Sequence, residues 1–464
     1  MEKVVLIGAG SASFTRGLVA DLIRSEIDTD LVLVDIDPTA LGVAERLIRK
    51  MVDFKQSCIR VSAHLDRRDA LPGATVVICT IAVGGRRAWE KDVCIPRKYG
   101  IYAPVGDTVG PGGSSRAMRM IPAMVSIAQD VLELCPDALF FNYGNPMAAV
   151  CRAVRIATGA NVVGLCHGVV DTARHLAQLM HVPLDAMQYN AVGINHETWF
   201  TQIRVNGADA MRHMGEIARE RVAAAPAMDT PIGTNTGWSG ANTPFGNGID
   251  PFAWQLLLKF GAFPAPLDRH VTEFFPQFFK DGTYYGLRLG VDVFSFEDTI
   301  ASGDRGYDEM QSDAFSPHPL DAAYFERIGG EHEQVVEIIQ SIRADRGKVY
   351  SANLPNTGQV ANLPMGSIIE SPALANSTGL HPLMQQPLPP GIAGALVSRF
   401  QWVETIVEAA LEGSRRKFIQ AIILDGYVSS LSQAETLADD LLSAQAEYLP
   451  RISLSRSGGK NDSK

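Results

Sequence analysis

The chain of 464 residues has six cysteines, and none lies beyond Cys166. A secreted disulfide scaffold would spread its cysteines along the whole chain, so this clustering predicts reduced thiols and a cytoplasmic protein. Long apolar runs are lacking as well. Thr75–Val83 is the longest of its sort, far short of the roughly 20 residues that a membrane-crossing helix needs. The amino-terminal stretch MEKVVLIGAG has no extended apolar core and no small-residue cleavage site, so no signal peptide is expected. Positive charge is in deficit, with 41 Lys and Arg against 51 Asp and Glu, a net charge of −10. No basic footprint favours nucleic acid or an anionic membrane, and a small neutral or partly charged substrate fits better. The composition, 46% hydrophobic and 20% charged, is that of a globular chain long enough for two or three domains. The polar tail Ser455–Lys464 (SRSGGKNDSK) is expected to be frayed.

What is present begins with an alternation of strand and helix patterns. Lys3–Ile7 is a short apolar strand, followed by Gly8-Ala9-Gly10-Ser11-Ala12-Ser13 and a helical pattern over Phe14–Ile23. Leu31–Val34 is a second strand closed by Asp35, and Asp37-Pro38 caps the next helix, where proline suits the first turn. Thr75–Val83 and Ala138–Tyr143 read as further strands, Met120–Leu134 and Pro146–Ala157 as helices, and Val162–Cys166 as another strand. This rhythm predicts an α/β fold with a Rossmann-like, doubly wound parallel sheet over residues 1–195. Beyond about residue 190 the pattern changes. Tyr189–Val205 reads as strands flanking Gly193-Ile194-Asn195-His196, and Ala223–Gly248 as a long loop rich in Pro, Gly, Thr and Asn. Helical periodicity returns over Phe252–Phe260, Glu331–Ala344, Ile392–Arg416 and Ala434–Glu447. A mainly helical α+β domain for catalysis and oligomerisation is therefore expected over 196–450, with 451–464 as a flexible tail.

The glycine turn carries the first chemical signal. Gly8 permits the tight turn, and Gly10 lets the backbone approach a pyrophosphate at the helix amino terminus. Ser13 stands where the usual fingerprint has a third glycine. Asp35 is placed to accept hydrogen bonds from a ribose 2′-hydroxyl and would repel a 2′-phosphate, which favours NAD over NADP. Ser11 and Phe14 in the turn and Thr80 in the Thr75–Val83 strand complete the expected cofactor residues. The bland alternative is a plain glycine turn in another doubly wound protein.

The second signal is Cys166, at a strand end, with His196 thirty residues on. Thiolate plus imidazole suits a divalent transition metal, and two protein ligands would leave positions for substrate oxygens. Taken singly, Cys166 is more often a buried small hydrophobe and His196 a satisfied core imidazole. Asp107-Thr108-Val109-Gly110-Pro111-Gly112-Gly113 reads as a glycine-rich loop backed by Arg116 and Arg119, and Asn142-Tyr143-Gly144-Asn145-Pro146 ends a strand. Ligands of open parallel sheets bind at the carboxyl ends of strands, so Asn145 and Cys166 are expected to share one crevice with the glycine turn. Asn145 could equally cap the following helix.

Together GAGSASF, DID, DTVGPGGSSRAMRMIP, NYGNPMA, GLCHG and GINHE resemble glycoside hydrolase family 4, the NAD- and manganese-dependent glycosidases. The blocks follow the family's order, the resemblance runs from Val4 to about Leu449, and NLPNTGQVANLPMGSIIESPALANSTGLHP at 353–382 extends it. It implies hydrolysis of α-linked glycosides by redox-assisted elimination: NAD oxidises the sugar at C3, a base removes the acidified C2 proton, and the C1–oxygen bond breaks. Water then adds and the hydride returns. Cys166 and His196 are the implied Mn2+ ligands, while Asn145, Arg116, Arg119 and Asp107 are the implied substrate residues. Many phosphosugar-cleaving members carry aspartate after the cysteine; here it is His167, which resembles the branch acting on unphosphorylated α-glycosides. His167 is then a proton donor or an orienting group. For the C2 base Asp268 is the candidate, with His270 and Asp250 behind it; alternatively Asp268 and Arg269 form a surface ion pair. The Asp107–Pro122 block resembles α-galactosidases, and Cys166-His167-Gly168 also suits α-glucosidases and α-hexuronidases, whose uronate carboxylate Arg116 or Arg119 would meet. A homodimer or homotetramer is expected. The competing readings are an NAD-dependent 2-hydroxy acid dehydrogenase of the lactate/malate type and a non-enzymatic NAD-sensing regulator.

Overall fold

A computed structural model describes residues 1–234, 250–328 and 334–449. Six parallel strands are formed by β1 (Glu2–Ile7), β2 (Thr29–Val34), β3 (Arg60–His64), β4 (Val76–Cys79), β5 (Leu139–Asn142) and β6 (Val162–Gly164), in the spatial order 3-2-1-4-5-6. This is the expected doubly wound sheet, and the order reverses between β1 and β4. The central strands β1, β2 and β4 carry continuous apolar runs because both faces are covered, whereas the edge strand β3 is mixed and partly exposed. Val5, Ile7, Val32, Val34, Val77 and Cys79 enter one core cluster, whereas their neighbours Val4, Leu6, Leu31, Leu33, Val76 and Ile78 enter another. Each such buried aliphatic side chain contributes about 1.5–3 kcal/mol.

The sheet does not stop at β6. The second half supplies β7 (Met187–Ile194), β8 (Glu197–Val205), β9 (Ala208–Asp209), β10 (Phe263–Ala265), a separate two-stranded ribbon of β11 (Thr283–Tyr284) and β12 (Leu287–Arg288), and β13 (Lys348–Pro355), β14 (Ile368–Asn376) and β15 (Gly379–Pro382). β13 lies antiparallel beside β6 with Asn353 opposite Gly164, and β14, β7, β8 and β10 follow outward. Gly164 makes this junction possible, since a Cβ there would lie 2.5 Å from Met147 Sδ and 2.9 Å from Asn353 Cβ. The expected boundary at 195/196 falls inside the β7–β8 hairpin, whose closing pair is Ile194 and Glu197.

Several expectations need correction. The segment from Gly110 is not a loop: one 25-residue helix spans Gly110–Leu134, beginning ten residues before the predicted start at Met120. Its glycines serve close packing, because a Cβ at Gly112 would lie 2.5 Å from Gly106 O and one at Gly113 2.5 Å from the Thr108 carbonyl carbon. The strand predicted over Thr75–Val83 is confined to Val76–Cys79. The helix predicted over Ile392–Arg416 ends at Glu412, where Gly413 adopts a left-handed cap (φ 63°), and a new helix runs over Arg415–Leu424. Asp37 caps its helix as predicted, accepting from the Thr39 and Ala40 amides. The predicted loop over Ala223–Gly248 starts in the last turn of a helix over Met211–Ala224, and 235–249 lie outside the described residues. Of the predicted Glu331–Ala344 helix, Val335–Arg343 is helical and 331–333 lie outside the described residues, as does the tail from 450. All six cysteines are free, and no helix among the described residues is long and apolar enough to cross a membrane.

Candidate active site

The glycine turn sits at the reversal point, where β1 ends against the end of β4. Gly8 has φ +92°, and a Cβ there would approach Ile81 N and the Thr80 carbonyl carbon to 3.0 Å. Thr80 donates its hydroxyl to Gly8 O (3.0 Å) and so pins the turn. At Gly10 a Cβ would meet Ala40 Cβ at 2.6 Å and Asp35 Oδ2 at 2.9 Å. Asp35 accepts from the Gly10 amide (2.8 Å) and the Asp37 amide (3.0 Å), which holds the end of β2 against the turn. Ser11 Oγ accepts weakly from the Phe14 amide, and the Phe14 ring packs on Tyr143 with centroids 5.3 Å apart. Gly8, Gly10, Asp35 and Thr80 are thus held together where β1, β2 and β4 end.

Cys166 and His196 are brought together. Their Sγ and Nε2 atoms lie 3.5 Å apart, although 30 residues separate them. Cys166 follows β6 and stands just before the helix over Gly168–Leu179; the Gly168 amide donates to its Sγ (3.4 Å). His196 occupies the tip of the β7–β8 hairpin in left-handed backbone (φ 70°), the hairpin being drawn tight at Gly193, where a Cβ would lie 2.3 Å from Glu197 O. Its other ring nitrogen, Nδ1, meets Thr108 Oγ1 at 2.9 Å, and Thr108 donates to Asp107 Oδ1 (2.7 Å). With its hydroxyl proton spent on Asp107, Thr108 accepts from Nδ1–H, which leaves the Nε2 lone pair facing Cys166. Burial lowers the His196 pKa to about 4, so the ring is a neutral ligand at pH 7.

Asp107 connects this pair to Asn145. Asn145 Nδ2 donates to Asp107 Oδ2 (2.9 Å), while Asn145 Oδ1 is buried and meets no donor among the described residues. The helix after it is capped by Pro146 with no side-chain bond, which removes the capping alternative for Asn145. Burial alone would raise the Asp107 carboxyl, but the Arg116 guanidinium, with the His196 ring and the Thr108 and Asn145 hydrogen bonds adding to it, holds it below the usual range. Arg116 donates to Asn145 O (3.1 Å) and lies over the Trp89 ring. His167 is half-buried at the cap of the following helix, close enough for its charge to act on both His196 and His270. The His270 ring packs against His196 with centroids 4.4 Å apart.

Two expected residues have other duties. Asp268 is neither an exposed ion pair nor open to a sugar. It is fully buried, and its carboxylate accepts from the Phe252 amide (2.9 Å), the Ala253 amide (2.7 Å) and Tyr284 OH (2.6 Å). It caps the helix over Pro251–Phe260 from a distance, and burial pushes its pKa up to about 6. Asp250 accepts from the Asp268 amide (3.3 Å) and belongs to the same buried pair. Arg119 is likewise structural. Its guanidinium grips Asp92 bidentately at 2.9 and 2.5 Å, with the two side chains 1% and 0% exposed. Residues missed by sequence reasoning are Thr108, hidden inside a glycine-rich segment, and Asp92, which lies in the unanticipated helix over Gly85–Arg97.

The fold and the site define a doubly wound α/β protein that brings a cysteine sulfur, an imidazole and an amide oxygen together at its strand ends. The chain belongs to family 4 of the glycosyl hydrolases: the family 4 glycosyl hydrolase model matches residues 3–182, and the model of that family's C-terminal domain matches residues 191–428. It is 30% identical over 469 residues to an alpha-glucosidase of Erwinia rhapontici, covering 96% of this chain and 98% of the relative. It is 29% identical over 464 residues to an alpha-galactosidase of Rhizobium meliloti, covering 97% and 89%. Among solved structures, a 6-phospho-alpha-glucosidase from gut microorganisms in complex with NAD and Mn2+ shares the fold, with a TM-score of 0.80 at 18% identity over 97% of this chain and 99% of that one. The protein is therefore a glycoside hydrolase, and the dehydrogenase and non-catalytic alternatives fall away.

Proposed function

We propose that the enzyme hydrolyses unphosphorylated α-glycosides, α-galactosides first and α-glucosides or α-hexuronides next, with catalytic NAD and a divalent ion such as Mn2+. The observation that carries this is the 3.5 Å approach of Cys166 Sγ to His196 Nε2 beside the orphaned Asn145 Oδ1, at the strand ends that also bear the glycine turn. Thiolate plus neutral imidazole is a donor set for a divalent transition metal, and the similar solved structure in complex with NAD and Mn2+ supports Mn2+ as that metal. The turn at Gly8 and Gly10, the helix end behind it and the Asp35 carboxylate fit NAD. When bound, NAD supplies reversible hydride acceptance at sugar C3 and the metal supplies Lewis acidity toward the neighbouring sugar oxygens.

The chain's own residues do the rest. Asp107 and Thr108 fix the His196 tautomer, a hydrogen-bond relay of the kind that orients metal ligands. Asn145 Oδ1 is left to accept a sugar hydroxyl, and Arg116 supplies the positive charge that a uronate carboxylate would seek. His167 is the proton donor to the leaving oxygen or the group that orients it. Of the expected bases we retain His270, because its ring packs on His196 and burial keeps it neutral at pH 7, the state a base requires. Free cysteines support a reducing, cytoplasmic setting, and exposed apolar side chains such as Val397, Leu411 and Leu424 support a homodimer or homotetramer. The test is a panel of chromogenic α-galactosides, α-glucosides and α-galacturonides with NAD, MnCl2 and a thiol reductant in D2O. Sugar release with deuterium at C2 is expected. Turnover that survives a chelator or the loss of NAD would overturn the reading.

A further inference from the structure

Glu273 is a buried carboxyl, 2% exposed, that none of the chemistry above uses. One of its oxygens, Oε1, accepts two consecutive backbone amides, Val105 N (2.7 Å) and Gly106 N (2.8 Å). Those amides immediately precede Asp107 and Thr108, the pair that holds His196 Nδ1. Gly106 is in left-handed backbone (φ 60°), and its carbonyl packs so closely under the next helix that no Cβ is tolerated at Gly112. The other end of Glu273 is also tethered, because Tyr427 OH donates to its carbonyl oxygen (2.8 Å). Three residues before Glu273 stands His270, whose ring packs on His196. The segment 268–274 therefore reaches His196 twice, directly through the His270 imidazole and indirectly through a carboxyl that grips the loop bearing Thr108.

We propose that Glu273 is a positioning residue for the reaction, a clamp that sets the Val105–Thr108 loop so that Asp107 and Thr108 meet His196 and Asn145. Its reach is geometric: one acceptor atom fixes two successive peptide planes, and the next two side chains inherit their direction. Burial pushes its carboxyl up to about 8, so the group works as a neutral acceptor and glutamine is its near-isostere. Glu273 also borders a partly open cavity of about 420 Å³, lined by Tyr102, Phe279 and Tyr427, so truncation at 273 takes the shared acceptor away without a neighbouring side chain packed in its place.

The inference rests on the metal reading, and the experiment separates the two. Glu273→Gln and Glu273→Ala are compared with wild type in the full chain for Mn2+ affinity by calorimetry, kcat and KM on the best α-glycoside, NAD affinity, and amide hydrogen exchange over 103–108. Glutamine keeps the shared acceptor, so the Gln variant is expected within about threefold of wild type throughout. Alanine is expected to weaken Mn2+ binding by about 10–100-fold, the range seen when a ligand's supporting partner is removed, to lower kcat, to leave NAD affinity unchanged and to speed exchange at Val105 and Gly106. A Gln variant as impaired as Ala, or an Ala variant with wild-type Mn2+ affinity and wild-type exchange, overturns the clamp. A wild-type chain that binds no Mn2+ sinks the metal reading instead, and the exchange rates then decide the clamp by themselves.

Discussion

Replacing Arg119 by methionine tests whether that arginine holds the fold or the substrate. In the structure its guanidinium donates two bonds to Asp92 and one to Val83 O (3.0 Å), with no access to solvent. Asp92 also accepts from Ser115 Oγ (2.7 Å) and Gln445 Nε2 (2.9 Å), so one buried carboxylate ties three helices together. Methionine fills much of the volume but removes the charge. Breaking a buried pair from one side costs about 3–5 kcal/mol, because the remaining ion has lost its partner. A chain of 464 residues unfolds with an entropy of roughly 1 kcal/mol per degree, so the midpoint should fall by roughly 3–5 °C.

The same replacement carries a pH signature. Burial already raises the Asp92 carboxyl, and Arg119 is the main group pulling it back down. Without Arg119 the folded-state value climbs further above the unfolded one, so the native state holds a proton that the unfolded chain releases. Stability then falls as pH rises between those two values. Arg119→Met should therefore sit closer to wild type at pH 5 than at pH 8, and adding Asp92→Asn should recover more than half of the loss. Thermal unfolding at the two pH values, beside kinetics on an α-galacturonide, decides the matter. An unchanged midpoint with a raised KM for the uronide would refute the structural assignment and return Arg119 to the substrate.

Cys166→Ser should leave the fold and NAD affinity intact while weakening Mn2+ binding by tenfold or more and removing most turnover; calorimetry and steady-state assay read both. Asp35→Ala removes an acceptor from the Gly10 amide and the proposed ribose contact. It should raise the NAD dissociation constant about 10–100-fold, the equivalent of one charged hydrogen bond, and narrow the preference over NADP, as followed by NADH fluorescence. Burial holds His270 below its unfolded pKa, so below about pH 6.5 the unfolded chain binds a proton that the native state refuses and stability is lost as pH falls. Relative to wild type, His270→Asn should flatten that decline by up to about 1.4 kcal/mol per pH unit. A denaturation series from pH 7 to pH 5 measures the difference.

The parts of this molecule that were legible in the sequence are those whose physics is local. A strand buried on both faces must be apolar throughout, a left-handed turn against a neighbouring strand needs glycine, and Asp37 before Pro38 caps a helix on short-range geometry alone. Cys166 and His196 were legible as ligand types, but their meeting depends on β13 being inserted beside β6 and on β14 pairing with β7. Those contacts join residues nearly two hundred positions apart, so no window along the chain contains them. The errors have one origin. Asp268 and Arg119 are charged residues next to a functional stretch, and charge in a sequence reads as chemistry. Burial decides otherwise: a fully enclosed carboxylate with three donors is satisfied by the protein, as is a guanidinium locked on Asp92. Asn145 shows the reverse. Expected at the substrate but as readily a helix cap, its amide spends one half on Asp107, and the other is buried with no donor among the described residues, a cost of about 1–3 kcal/mol that a bound ligand would remove. The orphaned acceptor beside Asp107, rather than the charges around it, is what supports the proposal that substrate binds at Asn145.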